Sequence, residues 1–328
     1  MPELPEVQTT VLGLKRLKGL SIKGVWTSYN SAYYYGKETI KDPKYLKFFT
    51  KSVVGGKIVD AERRAKYILI RLDNGFSILA HLKMTGHFLY GKYEFQKSGN
   101  GKKDVRNSGD KENNLEKKGK WIPVDEDIPG LKDPFNRFIR FVLVLSNGKH
   151  LVLSDTRRFA HISIVRTKDV DLLETIKNLG PEPLSKEFTF SVFKKVLNKK
   201  RKISGGKIKT VLMDQTVISG IGNIYSDEIL WRAGVHPEEI VRDISEVKLR
   251  ALFESIKILL EKGIDFGGDS MSDFRNIDGE KGKFQNEHMA YRRKGEKCLK
   301  KGCGGVIKRI VVAGRSAHFC DKHQKISK

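Results

Sequence analysis

The chain begins with Met1-Pro2-Glu3-Leu4-Pro5-Glu6-Val7, and this stretch decides how the first element of the fold starts. Leu4, Val7, Val11 and Leu14 recur at the three- and four-residue spacing of an amphipathic helix. Proline and glutamate suit the first turn, because proline lacks an amide hydrogen that would be unpaired there and glutamate complements the helix dipole. The sequence therefore predicts an N-terminal helix that buries one face.

Paired strand patterns follow this helix. Two apolar runs, at 67–72 and 141–145, each precede an Asn-Gly pair and a second apolar run, at 76–79 and 151–153. Asn-Gly between two such runs is typical of a tight β-hairpin. Region 96–120 is rich in Lys, Asn, Gly, Ser and Glu, so it has too little apolar surface to bury and predicts a mobile, solvated insertion. We expect a β-rich first domain at 1–168.

The periodicity becomes helical in the second half of the chain. Helical runs occupy 172–179, 188–197, 208–213, 224–233 and 249–260. Pro181 and Pro183 mark a junction before most of these runs. The pattern predicts a mainly helical second domain at 169–285, followed by a small terminal unit at 286–328.

The charge balance indicates the class of partner. The chain carries 63 Lys and Arg against 39 Asp and Glu, a net charge of +24, which favours binding to a polyanion such as nucleic acid. No apolar run is long enough to span a bilayer, and the N-terminus lacks the pattern of a signal peptide. We therefore expect no membrane association and a cytoplasmic location.

The cysteines form one compact motif near the C-terminus. Cys298-x4-Cys303-x16-Cys320-x2-His323 contains two close pairs separated by a hairpin-length spacer. An odd number of cysteines confined to one segment disfavours a disulfide framework, whereas three thiolates and one imidazole suit a tetrahedral zinc ion. Because four ligands complete the site, we expect one structural Zn²⁺. His318 is an alternative fourth ligand.

The N-terminal residues also suggest covalent chemistry. Removal of Met1 would expose the secondary amine of Pro2, which has a pKa of about 7.7–8 and is partly uncharged near neutral pH. Attack of this amine on a sugar C1′ would form an iminium ion, with Glu3 as general acid or base and Glu6 one turn away. The alternative is that these residues are ordinary helix-start residues.

Met1 to Val7, followed by Thr10, resembles the N-terminus of the formamidopyrimidine-DNA glycosylase and endonuclease VIII family. The resemblance implies that Pro2 is the nucleophile, that Glu3 assists it, and that Glu6 is a supporting carboxylate. In the C-terminal motif the family more often has four cysteines and a narrower first pair, so this chain departs from the family there.

Two loops resemble family segments that enter the duplex. The stretch 81–86 implies that Met84 fills the gap left by an extruded base, and 155–159 implies the same of Arg157 and Phe159. Unstacking a base leaves a hole that apolar side chains and a guanidinium can occupy. Taken alone, Met84 and Phe159 are more often core residues. Ala160 stands where the family usually has glycine.

Further matches imply DNA contacts along the chain. Lys66, in the stretch 64–67, resembles a catalytic-site lysine near phosphate, although a strand-opening lysine is ordinarily solvated. The stretch 214–237 resembles a helix–two-turn–helix element, with Asn223 contacting phosphate, and Lys209 matches a lysine that approaches the damaged nucleotide. No strand precedes Gly220-Ile221-Gly222, so a dinucleotide-binding fold is excluded. Arg315 matches the finger arginine that binds phosphate.

A loop at 265–274 resembles the family segment that closes over extruded 8-oxoguanine, which favours an oxidised-purine enzyme. The resemblance implies an α+β multidomain protein: a two-layered β-sandwich with an N-terminal helix, a helix–two-turn–helix domain and a zinc-finger hairpin. It implies a monomeric glycosylase and abasic-site lyase acting on double-stranded DNA with oxidised bases or abasic sites. The alternatives are the same chemistry on oxidised pyrimidines and a noncatalytic zinc-ribbon protein.

Overall fold

The computed structural model describes residues 1–29, 32–97, 119–204, 206–271 and 273–326. The predicted first helix, α1, spans Leu4–Leu14. Val7, Val11 and Leu14 are buried in the core of the first domain, as their helical spacing predicts. Leu4 instead packs into the core of the helical domain, and its amide donates to the carbonyl of Gly220 at 3.0 Å. The helix α1 therefore contributes to both cores.

Two four-stranded antiparallel sheets form the β-sandwich of the first domain. The strands are β1 Ile22–Thr27, β2 Ile58–Arg64, β3 Tyr67–Leu72, β4 Phe76–His81, β5 His87–Gly91, β6 Tyr93–Lys97, β7 Gly119–Pro123, β8 Ile139–Leu145, β9 His150–Ser154 and β10 His161–Arg166. One sheet has the order β1-β8-β9-β5 and the other β10-β4-β3-β2, and β6 and β7 form a separate two-stranded sheet. Both Asn-Gly hairpins are confirmed, and Gly75 and Gly148 adopt φ of 81° and 76°, where a side chain would be strained.

The first domain contains a second helix that the sequence analysis missed. Helix α2 spans Pro43–Val53 and starts at Asp42, whose side chain accepts from the Tyr45 amide at 2.6 Å. Its buried face consists of Phe49 and Val53. Of the predicted insertion at 96–120, only the ends belong to β6 and β7, and 98–118 lie outside the described residues.

The second domain is helical, as predicted. Its core gathers Phe193, Leu212, Ile229, Leu252 and other apolar residues that are almost fully buried. The predicted helix at 172–179 is shorter than expected: a 3₁₀ turn precedes a single α-helical turn, which stops before Gly180-Pro181 because a residue before proline disfavours helix. The helices are α3 Glu174–Lys177, α4 Phe190–Ser204, α5 Ile208–Met213, α6 Asn223–Ala233 and α7 Glu246–Asp265.

The chain ends in a small β-hairpin of β11, Ile307–Val312, and β12, Arg315–Cys320. Ala313 and Gly314 form its two-residue turn and both have positive φ, at 46° and 75°, which matches the twist of a tight hairpin. The predicted α+β fold class is therefore confirmed, while the limits 1–168, 169–285 and 286–328 stay predictions. Among the described residues no helix has the length and apolarity needed to cross a membrane.

Glu182 joins the two large domains at the end of β2. Its carboxylate contacts Arg63 at 2.6 Å and Arg64 at 3.0 Å, and it also accepts from the Ala65 amide. Burial alone would raise the pKa of Glu182, but Arg63, the Ala65 amide and Arg64 together hold it below its usual value. Because these partners stabilise the ionised form, the contact contributes to stability above the unfolded pKa and is lost as pH falls through the folded pKa.

We predict that Glu182→Gln lowers the free energy of unfolding by about 2 kcal/mol at pH 7, because charge-assisted hydrogen bonds to two arginines are weakened. Denaturant unfolding of both proteins at pH 7 and at pH 3 measures the effect. The difference should shrink at pH 3, because the carboxylate of the unfolded chain is protonated there and its ionisation no longer favours the folded state as strongly. Glu254→Gln, at an exposed position of α7, is the matched control and should leave stability unchanged.

Candidate active site and nucleic-acid interface

A cavity of about 690 Å³ opens where the sandwich, the helical domain and the hairpin meet. Its walls come from the start of α1, the β2-β3 turn, the loop after β4, the start of α6, the loop after α7 and the hairpin turn. Five of the predicted site residues line it: Glu3, Lys66, Met84, Asn223 and Arg315. The fold therefore brings together residues that are more than 300 positions apart in the chain.

Glu3 is bound at the N-terminus of α6. Its carboxylate accepts from the amides of Gly222 at 2.6 Å, Ile224 at 2.9 Å and Tyr225 at 3.4 Å. The positive end of the helix dipole favours a carboxylate at this place. A Cβ at Gly222 would lie 2.4 Å from Cδ of Glu3, so glycine is required for this close approach.

Glu6 lies beneath Glu3 and is almost fully buried. Its carboxylate accepts from the amides of Glu3 and Asp269, both at 2.7 Å, and from the Tyr225 hydroxyl at 3.0 Å. Burial, followed by the nearby Glu3 charge, raises the pKa of Glu6 to about 7, although the two amides oppose the shift. Glu6 therefore changes protonation state near neutral pH.

Met1, the residue before Pro2, lies at the edge of the cavity. Met1 lines the cavity and is 46% exposed, whereas Pro2 is buried and is not among the residues that line it. Pro2 precedes the Glu3 carboxylate by one residue, so removal of Met1 would leave the Pro2 nitrogen beside both the cavity and Glu3. The role of Pro2 as nucleophile stays a prediction.

Lys66 is a buried amine on the opposite wall. Its ammonium donates to the carbonyl of Ile221 at 2.9 Å. Burial lowers the pKa of Lys66, the Glu3 and Glu6 carboxylates raise it, and Arg315 lowers it further, with a net decrease. Lys66 is therefore not a solvated strand end. Its ammonium interacts with the Glu3 carboxylate across the cavity, which suits proton exchange or contact with an anion.

The three predicted gap-filling residues lie on two loops that Asp155 ties together. Met84 and Phe159 are exposed, and the Arg157 guanidinium lies 4.6 Å from the centre of the Phe159 ring. The buried Asp155 accepts from the Thr85 hydroxyl and from the Ala160 amide. Ala160 does not have positive φ, so alanine fits there without backbone strain. Neither Met84 nor Phe159 is a core residue.

Asn223 and Arg315 line the cavity at the starts of α6 and β12, two elements that are in contact. The Asn223 amide group donates to the Ser316 hydroxyl at 3.4 Å, and Arg315 starts β12 beside the hairpin turn. Lys209 lies behind this wall rather than on it: its ammonium pairs with Asp227 at 2.5 Å and is almost fully buried. Its predicted approach to a nucleotide stays a prediction, and the observed contacts suit a supporting position.

The predicted zinc ligands converge. The ligand atoms of Cys298, Cys303, Cys320 and His323 all lie within 4.8 Å of one another. Cys303 Sγ is 3.5 Å from Cys320 Sγ and 3.4 Å from His323 Nδ1, close to the roughly 3.8 Å edge of a tetrahedral zinc–thiolate site. His323 Nε2 faces the Trp231 carbonyl at 3.1 Å, which leaves Nδ1 beside the sulfurs of Cys298 and Cys303.

His318, the alternative ligand, has another partner. Its Nδ1 lies 2.9 Å from Asp227 Oδ2, and its amide donates to the same oxygen at 2.9 Å. Asp227 therefore links Lys209 on α5 to the hairpin, and the predicted structural zinc site uses His323.

Asp269 lines the cavity from the predicted capping loop at 265–274, and its amide donates to Glu6. Several other residues of the cavity were missed from the sequence: Tyr291 and Arg292 line it from the segment before the hairpin. Arg292 has a φ of 61°, a conformation that is uncommon for residues other than glycine. No spacing pattern indicates these residues, because each reaches the site through a long-range contact. Ser272 of the predicted capping loop lies outside the described residues.

Comparison with protein-family models gives three matches in chain order. Residues 1–162 match the formamidopyrimidine-DNA glycosylase N-terminal domain, and 179–275 match the formamidopyrimidine-DNA glycosylase H2TH domain. Residues 295–322 match the zinc finger found in FPG and IleRS. The predicted helix–two-turn–helix domain and structural zinc site are thereby confirmed.

Full-length relatives and solved structures point to the same family as the family models. The formamidopyrimidine-DNA glycosylases of Desulforamulus reducens and Bacillus subtilis are 33% and 32% identical, each over 99% of both chains. A complex between Lactococcus lactis Fpg and DNA containing an abasic site is similar with a TM-score of 0.75 and 28% identity, over 98% of this chain and 99% of that one. The resemblance inferred from the N-terminal motif is confirmed: the chain belongs to the formamidopyrimidine-DNA glycosylase family.

Proposed function

We propose that the protein is a bifunctional DNA glycosylase and abasic-site lyase that removes oxidised purines, 8-oxoguanine and formamidopyrimidines, in base excision repair. The observation that carries the proposal is the Glu3 carboxylate, which lines the cavity one residue from Pro2 and is held by amides at the start of α6. The relatives' names and a similar protein in complex with DNA containing carbocyclic 8-oxo-G support the substrate class.

The nucleophile is the secondary amine of Pro2 after loss of Met1. Its nitrogen bonds to C1′ while the bond from C1′ to the damaged base breaks, and the base leaves with a proton from the site. The nitrogen then loses its proton, and its lone pair forms the iminium double bond to C1′ as the C1′–O4′ bond breaks and O4′ takes up a proton. The iminium ion accepts electrons as C2′ loses a proton and the 3′ phosphate departs. A second elimination releases the 5′ phosphate and leaves a one-nucleotide gap with phosphates at both ends.

Three ionisable residues near Pro2, which are Glu3, Glu6 and Lys66, have different roles in the reaction. Glu3 faces the cavity and acts as the general acid or base. Glu6 contacts the Glu3 amide and keeps the N-terminal turn in place. Lys66, whose pKa is lowered chiefly by burial, exchanges protons or binds the phosphate beside the lesion.

The partner is double-stranded DNA that holds an oxidised base or an abasic site, bound by a monomer in the cytoplasm. Asn223 and Arg315 bind the phosphates that flank the lesion, and a planar guanidinium suits phosphate. Met84, Arg157 and Phe159 fill the gap that the extruded base leaves. The net charge of +24 supplies attraction independent of sequence.

Two alternatives remain as outcomes of the tests. The same chemistry on oxidised pyrimidines would appear as faster excision from a pyrimidine-lesion duplex than from an 8-oxoguanine duplex. A noncatalytic zinc-ribbon protein would bind DNA without forming a covalent adduct, but that alternative does not account for the matched N-terminal domain.

We predict that borohydride traps the protein on a duplex carrying 8-oxoguanine opposite cytosine, with the adduct on Pro2 by peptide mass spectrometry. A chain that retains Met1 should give no adduct, because it lacks the free Pro2 amine. Pro5→Ala, which changes the other N-terminal proline, is the control and should still be trapped. Absence of any adduct from protein that has lost Met1, on this duplex and on a plain abasic site, would refute the enzyme proposal.

We predict that Glu6→Gln removes a pH dependence of stability. Because the folded pKa of about 7 lies above the usual 4.5, the contribution of Glu6 to stability is full below pH 4.5 and is lost as pH rises through about 7. The decline should reach up to about 3 kcal/mol, whereas Glu6→Gln lacks it. Denaturant unfolding at pH 5 and pH 8 measures both slopes. Parallel curves for the two proteins would contradict the assignment.

We predict that His323→Ala lowers the bound zinc well below one ion per chain and weakens duplex binding about tenfold, because the hairpin no longer holds Arg315 in place. His323→Cys is the matched control, since four thiolates also complete a tetrahedral site. Metal analysis and fluorescence anisotropy report the two quantities. Full DNA affinity in a zinc-free protein would show that the finger does not position Arg315.

A further inference from the structure

A buried lysine supports the loop that carries Arg157 and Phe159. Lys41 precedes α2 and is only 3% exposed. Its ammonium donates to the carbonyl of Arg158, the residue between the two gap-filling side chains, at 2.7 Å. The contact joins parts of the sandwich that are 117 residues apart in the chain.

The carbonyl that Lys41 binds belongs to a residue in an unusual conformation. Arg158 has a φ of 58°, in the left-handed region that side chains rarely adopt. Such a conformation persists only where surrounding contacts hold it. Arg157, Arg158 and Phe159 are all exposed, so the side chains of this turn do little to fix its backbone.

Other contacts hold the turn on either side of Arg158, but they do not reach Arg158 itself. Asp155 accepts from the Ala160 amide at 2.8 Å and from the Tyr29 hydroxyl at 2.9 Å. The Arg157 amide donates to the Thr85 hydroxyl at 3.0 Å. Lys41 supplies the contact to the centre of the turn, between these two anchors.

The surroundings of Lys41 suit a retained buried cation. Its ammonium lies 4.8 Å from the Tyr29 ring centre and 4.5 Å from that of Tyr34, within the range of cation–π attraction. Burial lowers the pKa of Lys41 to about 8, while Asp155 raises it and Lys83 lowers it. A buried charge is costly unless it has a hydrogen-bond partner. The backbone carbonyl of Arg158 is such a partner for the Lys41 ammonium.

We propose that Lys41 is a positioning residue for gap filling: it fixes the Arg158 backbone so that Arg157 and Phe159 project together into the duplex. The inference rests on the proposed function, because it assumes that a base is extruded and its place filled. It predicts that Lys41 matters most when an intact opposite base remains to be contacted.

The test compares single-turnover excision of 8-oxoguanine from two duplexes, one with cytosine opposite the lesion and one with an abasic site opposite it. Lys41→Met should slow excision about tenfold on the first duplex, the effect of one charge-assisted hydrogen bond. On the second it should slow excision less than about twofold, since no orphaned base needs a partner. Lys41→Arg, which keeps a charged donor, should recover most of the rate.

Two controls separate positioning from general stability. Lys44→Met removes the same charge from an exposed position nearby and should leave both rates unchanged. In a Phe159→Ala background, Lys41→Met should add little further loss on the cytosine duplex, because both changes act on one turn. If Lys41→Met does not fold, Lys41→Gln, which keeps a neutral donor, is compared with Lys41→Arg on the same two duplexes.

The outcomes are distinct. Equal slowing on both duplexes, or additive losses with Phe159→Ala, would overturn the inference and leave Lys41 as a stabiliser of the fold. Unchanged rates on both duplexes would also overturn it. A wild-type protein that excises nothing from either duplex would instead refute the proposed function, and the two failures are thereby distinguished.

Discussion

The attachment of the Glu3 carboxylate to the N-terminus of α6 is the contact on which the rest of the site depends. Three amides of α6 and the turn before it point at one carboxylate, and Gly222 permits the approach. The same contact holds Glu3, the neighbour of Pro2, at the cavity and joins the two large domains. A helix dipole thus stabilises both the contact between the domains and the carboxylate at the cavity.

The carboxylates of Glu3 and Glu6 lie close together, and two negative charges there would repel each other. Protonation of Glu6 reduces this repulsion. Glu3 faces the cavity and is held by α6, whereas Glu6 is enclosed and has its pKa raised to about 7 by burial and by Glu3. Lys66 on the facing wall offsets part of the negative charge. The fold therefore separates a carboxylate that lines the cavity from one that lies outside it.

Local patterns predicted the elements that depend on neighbouring residues. The Asn-Gly hairpins, the face of α1 and the cysteine spacing all reflect contacts within a few residues or one hairpin. Helix α2 was missed, although Asp42-Pro43 is a helix-start signal. The Lys209–Asp227 pair and the partner of His318 could not be predicted, because burial in a shared core, rather than spacing, brings these side chains together.

Because α1 packs in both hydrophobic cores, mutations in this helix have a particular consequence. Leu4 packs in the helical core, and Val7, Val11 and Leu14 pack in the sandwich, while Glu3 and Glu6 complete the site. A change in this helix that disturbs its register would displace two cores and one reaction centre together. Alleles that lose activity through such changes should therefore also yield less folded protein, so that few inactive but intact copies accumulate to occupy damaged DNA.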